Sequence, residues 1–409
     1  MSQQWNSNME ILTRQHYANI VDSWLGKGNI IAIVGSRRVG KSYVLKDFVQ
    51  RHKDEEDINI IYIDKEKKAF DAIRTKDDLD AWIESNFVKG KHNCILIDEV
   101  QEIRQFEDSV CNWYTEENTD VIITGSNSDM LSGELSTKLA GRNVEVRIHP
   151  LTYSEFLQFH KLEDSDDSLM TYLDYGGLPG LRKVGLDSDE QVWAYLTSVF
   201  NTIMLKDIIE RHDIRNVPFL NNLIDYYADT TGKLTSANNI SKYMKSQKED
   251  VSTNLILLYR GYYAESFLLD IVRRYDIHGK KLFESNEKIY WDDLGLRNLR
   301  ASGAMDSYIE KVIENAVYKH LRYLGYEVNV GVLNASEVDF VCKKPGKVVY
   351  VQVSYIISSE ETRHREFGAL EKIKDNHPKY VISATPLLTQ RDENGIIHLS
   401  LRGFLKNGL

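Results

Sequence analysis

Gly35-Ser36-Arg37-Arg38-Val39-Gly40-Lys41-Ser42 decides the reading of this chain. The run fits the pattern G-x-x-x-x-G-K-[ST] at every fixed position. Ahead of it, Asn29-Ile30-Ile31-Ala32-Ile33-Val34 is apolar and β-branched enough for a buried strand; behind it, Tyr43 to Val49 spaces its apolar residues like a helix. That context separates a phosphate-binding P-loop from an ordinary glycine turn with a surface lysine. Gly35 and Gly40 permit a tight turn, so that successive backbone N–H groups and the first turn of the helix point at an anion. Lys41 then sets an ammonium on the β- and γ-phosphates, and Ser42 offers a hydroxyl to Mg²⁺. The expected nucleotide contacts are Gly35, Ser36, Arg37, Arg38, Val39, Gly40, Lys41, Ser42 and Tyr43, with ATP and Mg²⁺ as the expected ligands.

Outward from this run, Glu10 to Gly28 reads as a helical lead-in, where Arg14 or Tyr17 is placed to flank an adenine ring or to pack in the core. Downstream, Ile58 to Asp64 is a second strand and Leu79 to Phe87 a helix. Cys94-Ile95-Leu96-Ile97-Asp98-Glu99 is an apolar strand ending in two acids, the form of a Walker B motif. Asp98 is expected to hold Mg²⁺ through water, and Glu99 to polarise the attacking water. The strand Asp120 to Thr124 runs into Gly125-Ser126-Asn127-Ser128, which makes Ser126 and Asn127 the candidates for sensing the γ-phosphate, with a plain turn as the competing reading. A helix from Met130 to Ala140 ends in Gly141-Arg142 before strand character resumes at Val144 to Ile148. Two roles are open to Arg142: reaching the γ-phosphate of a neighbouring subunit in a homo-oligomer, or capping its own helix C-terminus.

A length of 409 residues suggests two to four domains, and 42% hydrophobic with 27% charged residues is ordinary for a globular chain. The net charge of −10 argues against indiscriminate nucleic-acid binding, while leaving room for a local basic patch. The chain has no apolar run long enough to span a bilayer and no leader-like N-terminus, so a cytoplasmic protein without membrane contact is expected. Cys94, Cys111 and Cys342 are scattered, with no C-x-x-C spacing, which argues against both zinc and disulfides.

Taken together, the P-loop, Leu96 to Gln101, Thr124-Gly125-Ser126, Gly141-Arg142, Pro150 to Phe156, Gly176-Gly177-Leu178-Pro179, Lys206-Asp207 and Glu337-Val338-Asp339-Phe340 resemble a large prokaryotic family. Its members are AAA-type ATPases that carry a PD-(D/E)XK nuclease-like C-terminal domain. The resemblance covers almost the whole chain and implies an AAA-like strand order in the first 150 residues.

Residues 151–217 read as a helical lid. Residues 218–300 have the cadence of a winged helix: three helices, the third through Leu255, Leu258, Tyr259, Tyr262 and Tyr263, then Leu268 to Tyr290 as a β-hairpin wing. Thr231 to Arg300 holds twelve Lys/Arg against nine Asp/Glu. Double-stranded DNA is one expected partner of this module and another protein the alternative. Residues 301–409 follow an αβββαβ order resembling the PD-(D/E)XK nuclease fold, in which Asp339 matches the strand acid and Glu314 the helical acid. Gln352 stands at the second acid position and Ser354 at the lysine position, departures that argue against cleavage; Arg365 or Glu366 is placed to restore part of the site.

The expected fold class is therefore α/β: an AAA-type P-loop NTPase core (1–150), helical lid, winged-helix domain and restriction-endonuclease-like domain. The expected activity is Mg·ATP hydrolysis coupled to the other domains, acting on or near DNA. Two rivals remain: a slow nucleotide-dependent switch regulating a protein partner, and an ATP-gated metal-dependent nuclease.

Overall fold

The computed structural model describes residues 11–127, 141–283, 286–333, 336–385 and 391–409. Two compact units divide the chain, Met1–Ile148 and His149–Leu409. The first contains α1 (Gln15–Trp24), β1 (Ile30–Val34), α2 (Lys41–His52), β2 (Ile58–Asp64), α3 (Lys76–Asn86), β3 (His92–Asp98), α4 (Phe106–Trp113), β4 (Thr119–Gly125) and β5 (Asn143–Arg147). Its five strands are all parallel, in the order β2-β3-β4-β1-β5. Every residue of β1 and β4 is buried, as expected for the middle of a parallel sheet covered on both faces, which is why these strands read as continuous apolar runs. The order has one consequence for chemistry. β1, which carries the P-loop, and β3, which ends in Asp98, are separated by β4, so the C-terminal end of β4 lies between them. The helix expected over 130–140 lies outside the described residues.

The second unit begins with α5 (Tyr153–His160), α6 (Asp166–Tyr175), α7 (Leu181–Val184) and α8 (Asp189–Thr202), which continues as a π-helix over Ile203–Ile209. There follow α9 (Val217–Asp229), α10 (Ala237–Ser246), α11 (Thr253–Glu265), β6 (Leu269–Val272), β7 (Arg274–Asp276), β8 (Lys281–Leu282), β9 (Lys288–Trp291) and α12 (Leu294–Arg300). The chain ends with α13 (Ile309–Tyr323), β10 (Glu327–Leu333), β11 (Ser336–Lys344), β12 (Lys347–Ser354), α14 (Glu360–Glu371), β13 (Lys379–Ser383), β14 (Arg391–Glu393), β15 (Ile396–Ser400) and α15 (Leu401–Asn407). β10, β11 and β12 pair antiparallel in sequence order and β13 adds parallel to β12.

The expected wing is divided. β6 pairs with β9 as a two-stranded sheet, whereas β7 leaves that ladder, pairs parallel with β10 and, with β8, forms one edge of an eight-stranded sheet. The reason is burial. Tyr275 and Ile277 alternate onto one face and pack with Leu333, Val338, Val341, Phe367 and Leu370 in the core of the C-terminal sheet. A hairpin left in solvent would expose both side chains, and burying such side chains contributes about 1.5–3 kcal/mol each.

The segment expected as a separate lid is also tied into this unit. Asp293 at the start of α12 accepts a hydrogen bond from the Gly177 backbone (2.9 Å), and Asn298 donates to the carbonyls of Leu173 and Asp174 (2.9 and 2.8 Å). The turn at Gly176-Gly177 is glycine because a Cβ on Gly176 would lie 2.5 Å from the Asp293 carboxylate, in a backbone with φ of 75°. At the other end, Lys406 and Arg402 of α15 pair with Asp164 and Asp166 (2.7 and 2.8 Å).

His320, buried on α13 with its ring edge-on to Phe404 (centroids 4.9 Å apart), has no partner for Nε2 among the described residues. Burial pushes its pKa down to about 4, partly opposed by the charge of Glu155. An unfolded histidine titrates near 6.5. Between those values the unfolded chain takes up a proton that the folded chain refuses, so stability present above pH 6.5 is lost as pH falls toward 4, at about 1.4 kcal/mol per pH unit. His320→Gln is expected to flatten the fall in melting temperature between pH 6.5 and 4.5; an unchanged slope would rule out this histidine as its source.

Candidate nucleotide-binding site

The loop Gly35–Gly40 joins the end of β1 to the start of α2, so the orphan N–H groups of the α2 N-terminus open onto it. Gly35 has φ of 147°, and a Cβ there would lie 2.4 Å from the Ile148 carbonyl oxygen. Arg38 and Gly40 also take positive φ (69° and 103°), which turns the intervening peptides. Lys41 is buried, donates to the carbonyls of Gly35 and Ser36 (3.0 and 3.1 Å) and lies 3.9 Å from Glu99 Oε1. Ahead of α1, Arg14 donates to the Val39 carbonyl (3.3 Å) and lies over the Tyr17 ring, so both expected adenine-side residues pack beside the loop. Tyr43 is exposed at the first turn of α2, with the Lys46 ammonium over its ring.

The acid side of the site is built around Asp98. Its Oδ1 accepts from Ser42 Oγ (3.0 Å) and from Thr124 Oγ1 (2.6 Å), and the Thr124 hydroxyl in turn accepts the Glu99 backbone N–H (2.9 Å). Burial raises the Asp98 pKa to about 6; the bonds from Thr124 and Ser42 oppose the shift, and the charges of Glu99 and Asp64 add to it. Glu99 itself is held in a left-handed conformation (φ 53°), and Gln101 Nε2 donates to its carboxylate (2.5 Å). Ser42, Asp98, Glu99 and Lys41 thus meet at one end of the sheet, as the two motifs require.

Sequence reasoning missed three participants. Thr124, on β4, bonds Asp98 directly, while Ser126 and Asn127, the candidates for sensing the γ-phosphate, are buried just beyond the end of that strand. Tyr62, on β2 beside the Asp98 strand, places its hydroxyl 3.4 Å from Asp98 and 3.5 Å from Asp64. Gln101 closes the motif Leu96 to Gln101, but its pattern assigns it no role. Arg142 lies elsewhere: it precedes β5, whose first residue pairs with Ile30 at the start of β1, so the length of a five-residue strand, about 16 Å, separates it from the loop. In its own chain it lies over the Tyr114 ring (5.8 Å).

Among the described residues, one group of metal-ligand type falls outside both carboxylate sites: His92, Cys94 and Asp120. Asp120 is already bonded to His92 (2.6 Å) and to the Gly26 backbone (3.0 Å), and burial pushes the Cys94 thiol up to about 12. These contacts explain the group as a hydrogen-bonded pair tying β3 and β4 to the turn after α1.

A second carboxylate cluster lies in the His149–Leu409 unit. Asp339 on β11 and Glu314 on α13 lie together there, joined by Glu337. Gln352 does not extend the cluster's free oxygens: its Oε1 accepts the Asp339 backbone N–H (3.2 Å), and its Nε2 donates to Glu366 (3.0 Å), which also pairs with Arg365 (2.8 Å). The Ser354 position supplies no ammonium. Instead Lys288, from β9, reaches Glu337, Glu314 and Asp339 at 2.8, 2.9 and 3.4 Å. Burial alone would lower its pKa, but the charges of Glu314, Asp339 and Glu337 outweigh it and raise it. Asp339 is itself pushed well above the usual carboxylate range, chiefly by burial and then by Glu314.

The parallel β2-β3-β4-β1-β5 sheet with this loop and acid pair defines an AAA-type P-loop ATPase domain. Residues 27–157 match the family model AAA_14, described as an AAA domain, and residues 166–307 match a domain of unknown function, DUF8612. An uncharacterized protein of Haemophilus influenzae is 32% identical over 381 residues, covering 91% of this chain and 93% of its own length. One of Methanocaldococcus jannaschii is 28% identical over 390 residues, covering 90% and 84%. The chain belongs to the family of the Haemophilus protein. Among solved structures, a Walker-type ATPase of Pyrococcus abyssi is similar at 14% identity and a TM-score of 0.48, covering 71% of this chain and 96% of its own. The Orc1 protein of Aeropyrum pernix, solved in complex with DNA, gives 11% identity and a TM-score of 0.32, with coverages of 71% and 93%. Among the described residues, no helix is long and apolar enough to cross a membrane.

Proposed function

We propose that the chain binds Mg·ATP at Gly35–Tyr43 and hydrolyses it. The observation that carries this reading is the continuous hydrogen-bond path Ser42–Asp98–Thr124–Glu99, which ties the P-loop hydroxyl to the Asp98 carboxylate and, through Thr124, to the backbone N–H of Glu99. Ser42 and Asp98 form a donor set of hydroxyl and carboxylate that suits Mg²⁺, and the metal neutralises phosphate charge when bound. Lys41 holds the β- and γ-phosphates, with backbone N–H groups of the loop around them. Glu99 takes the proton of the attacking water. Ser126 and Asn127 are the candidates for sensing the γ-phosphate, and Arg142 is placed to act on nucleotide held by another copy of the chain.

Thr124 is a positioning residue in this scheme. A hydrogen bond to a charged group is worth about 1.5–3 kcal/mol, so Thr124→Val is expected to lower kcat roughly ten- to a hundredfold and to leave ATP affinity nearly unchanged. A loss confined to KM would show that the hydroxyl serves binding instead.

Nucleotide state is proposed to change what residues 149–409 contact. For the partner, the side chains of α11 favour a protein over DNA. Its exposed residues Asn254, Leu257 and Leu258 carry no positive charge, and Arg260 is paired with Glu287 (2.7 Å). The tip expected as a wing pairs within the C-terminal sheet, and the exposed cations Lys242, Lys245, Lys248, Arg273, Lys280 and Lys281 belong to segments other than α11. The switch acting on a protein partner is thus the second reading, and duplex-stimulated turnover is the result that would reject it. The nuclease-like reading of residues 301–409 rests on the αβββαβ order with Glu314 and Asp339 brought together; cleavage is not proposed, because Gln352 is engaged by protein groups and Ser354 has no ammonium.

A further inference from the structure

Lys288 belongs to neither nuclease motif. It stands on β9, which is paired with β6 and clamped to α13 by Asn315: the Asn315 side chain accepts the Trp291 N–H (2.8 Å) and donates to the Trp291 carbonyl (2.9 Å). That clamp fixes the register between β9 and the neighbouring helical residue, Glu314. Lys288 and Tyr290 alternate onto the same face of β9, and both donate to Glu314 Oε1, the phenol at 2.5 Å. Gly232 closes the cluster from a third segment, with Glu314 Oε2 only 2.8 Å from where its Cβ would be. The ammonium therefore sits among oxygens from Glu314, Glu337 and Asp339, is almost wholly buried, and is anchored by strand pairing and not by a free side chain.

We propose that the Lys288 ammonium is the resident cation of this carboxylate cluster, standing where a divalent metal ion would otherwise bind. Three carboxylates converge on one buried ammonium, Glu314 and Asp339 largely buried and Glu337 at the solvent edge, and like charges gathered so closely out of water require a positive charge. An ammonium and a divalent ion compete for the same oxygens, and the two cations repel at that separation. The C-terminal unit thus keeps the acids as the anchor for β9, joining residues 288–291 to α13 and β11 by charge. What the ammonium replaces rests on the nuclease-like reading of residues 301–409; the ammonium contacts themselves do not.

The test is the number of Mn²⁺ ions bound by the nucleotide-free full-length chain, read by electron paramagnetic resonance, in wild type, Asp339→Asn, Lys288→Met and the Lys288→Met/Asp339→Asn pair. Equal counts are expected for wild type and Asp339→Asn, because any ion at the P-loop cancels between them. Lys288→Met is expected to gain one ion that the paired variant loses, and its melting temperature to rise with added Mn²⁺ where that of wild type does not. A wild-type ion that disappears in Asp339→Asn overturns the proposal, and this comparison decides the matter even if Lys288→Met does not fold. A folded Lys288→Met that gains no ion also overturns it. Adding Gln352→Glu to Lys288→Met separates the two readings. If the gained ion binds no tighter, the nuclease-like assignment of Gln352 fails while the role of Lys288 stands.

Discussion

Glu99→Gln is expected to lower ATP turnover by about a hundredfold to ten-thousandfold, the range lost with a positioned general base, while ATP affinity stays within about threefold, since contacts to the phosphates are kept. The substitution is nearly isosteric, so the bond from Gln101 and the left-handed backbone at residue 99 have no steric reason to change. It removes a carboxylate that lies 3.9 Å from Lys41, while Asp98 keeps its bond from Ser42. Because the variant would hold ATP without consuming it, it is also the sample in which to measure hydrogen exchange over residues 149–409. Exchange that is the same with and without ATP would reject the proposed coupling. Turnover by wild type should be measured with and without duplex DNA at two salt concentrations: salt-sensitive stimulation supports a nucleic-acid partner, and indifference supports the protein-partner switch. Retention of full activity by Glu99→Gln would remove the proposed mechanism.

Arg297→Ala is expected to destabilise the His149–Leu409 unit by about 3–4 kcal/mol, as when one member of a buried charged network is removed. Arg297 is completely buried on α12. Its Nε and Nη2 both donate to the Ala228 carbonyl (3.1 and 2.9 Å), its Nη1 donates to Asn298 (3.1 Å), and the guanidinium lies 4.1 Å from the centre of the Tyr308 ring. Burial lowers its pKa to about 10, so it still carries its charge at neutral pH, with the ring face and carbonyl as compensation. Truncation leaves the last turn of α9 without its cap and opens a cavity where α9 and α12 pack. For a unit of this size the loss corresponds to a fall of about 10 °C in melting temperature, read by circular dichroism on the full chain. Arg297→Lys should recover little, because an ammonium cannot form the same fork or stack on Tyr308. A loss below about 1 kcal/mol would mean that the network is dispensable.

How much of this was legible in the sequence follows from the range of the interactions involved. Strand–loop–helix chemistry at Gly35–Ser42 and the acid pair Asp98-Glu99 are local patterns, and each appears in the fold where its own segment places it. The partnering of the two motifs was legible from their form, but Thr124 was not, since its role depends on β4 lying between β1 and β3. Likewise Glu314 and Asp339 were readable from an expected element order, whereas the cation they meet came from 26 residues before Glu314, on a strand the sequence assigned to a wing. That wing was misread for a physical reason: alternation shows that Tyr275 and Ile277 share a face, but not which core will cover it.

By itself, then, the sequence determined the phosphate-binding loop, its acids and the secondary structure around them, because hydrogen-bonding and backbone requirements there are met within a few residues. Only the tertiary structure decided that β4 supplies the hydroxyl joining the Asp98 carboxylate to the Glu99 backbone, that the wing's tip belongs to the C-terminal sheet, and that Lys288 fills the carboxylate cluster. These depend on non-local strand pairing and on the burial of apolar and charged groups, whose partners are chosen by the whole fold.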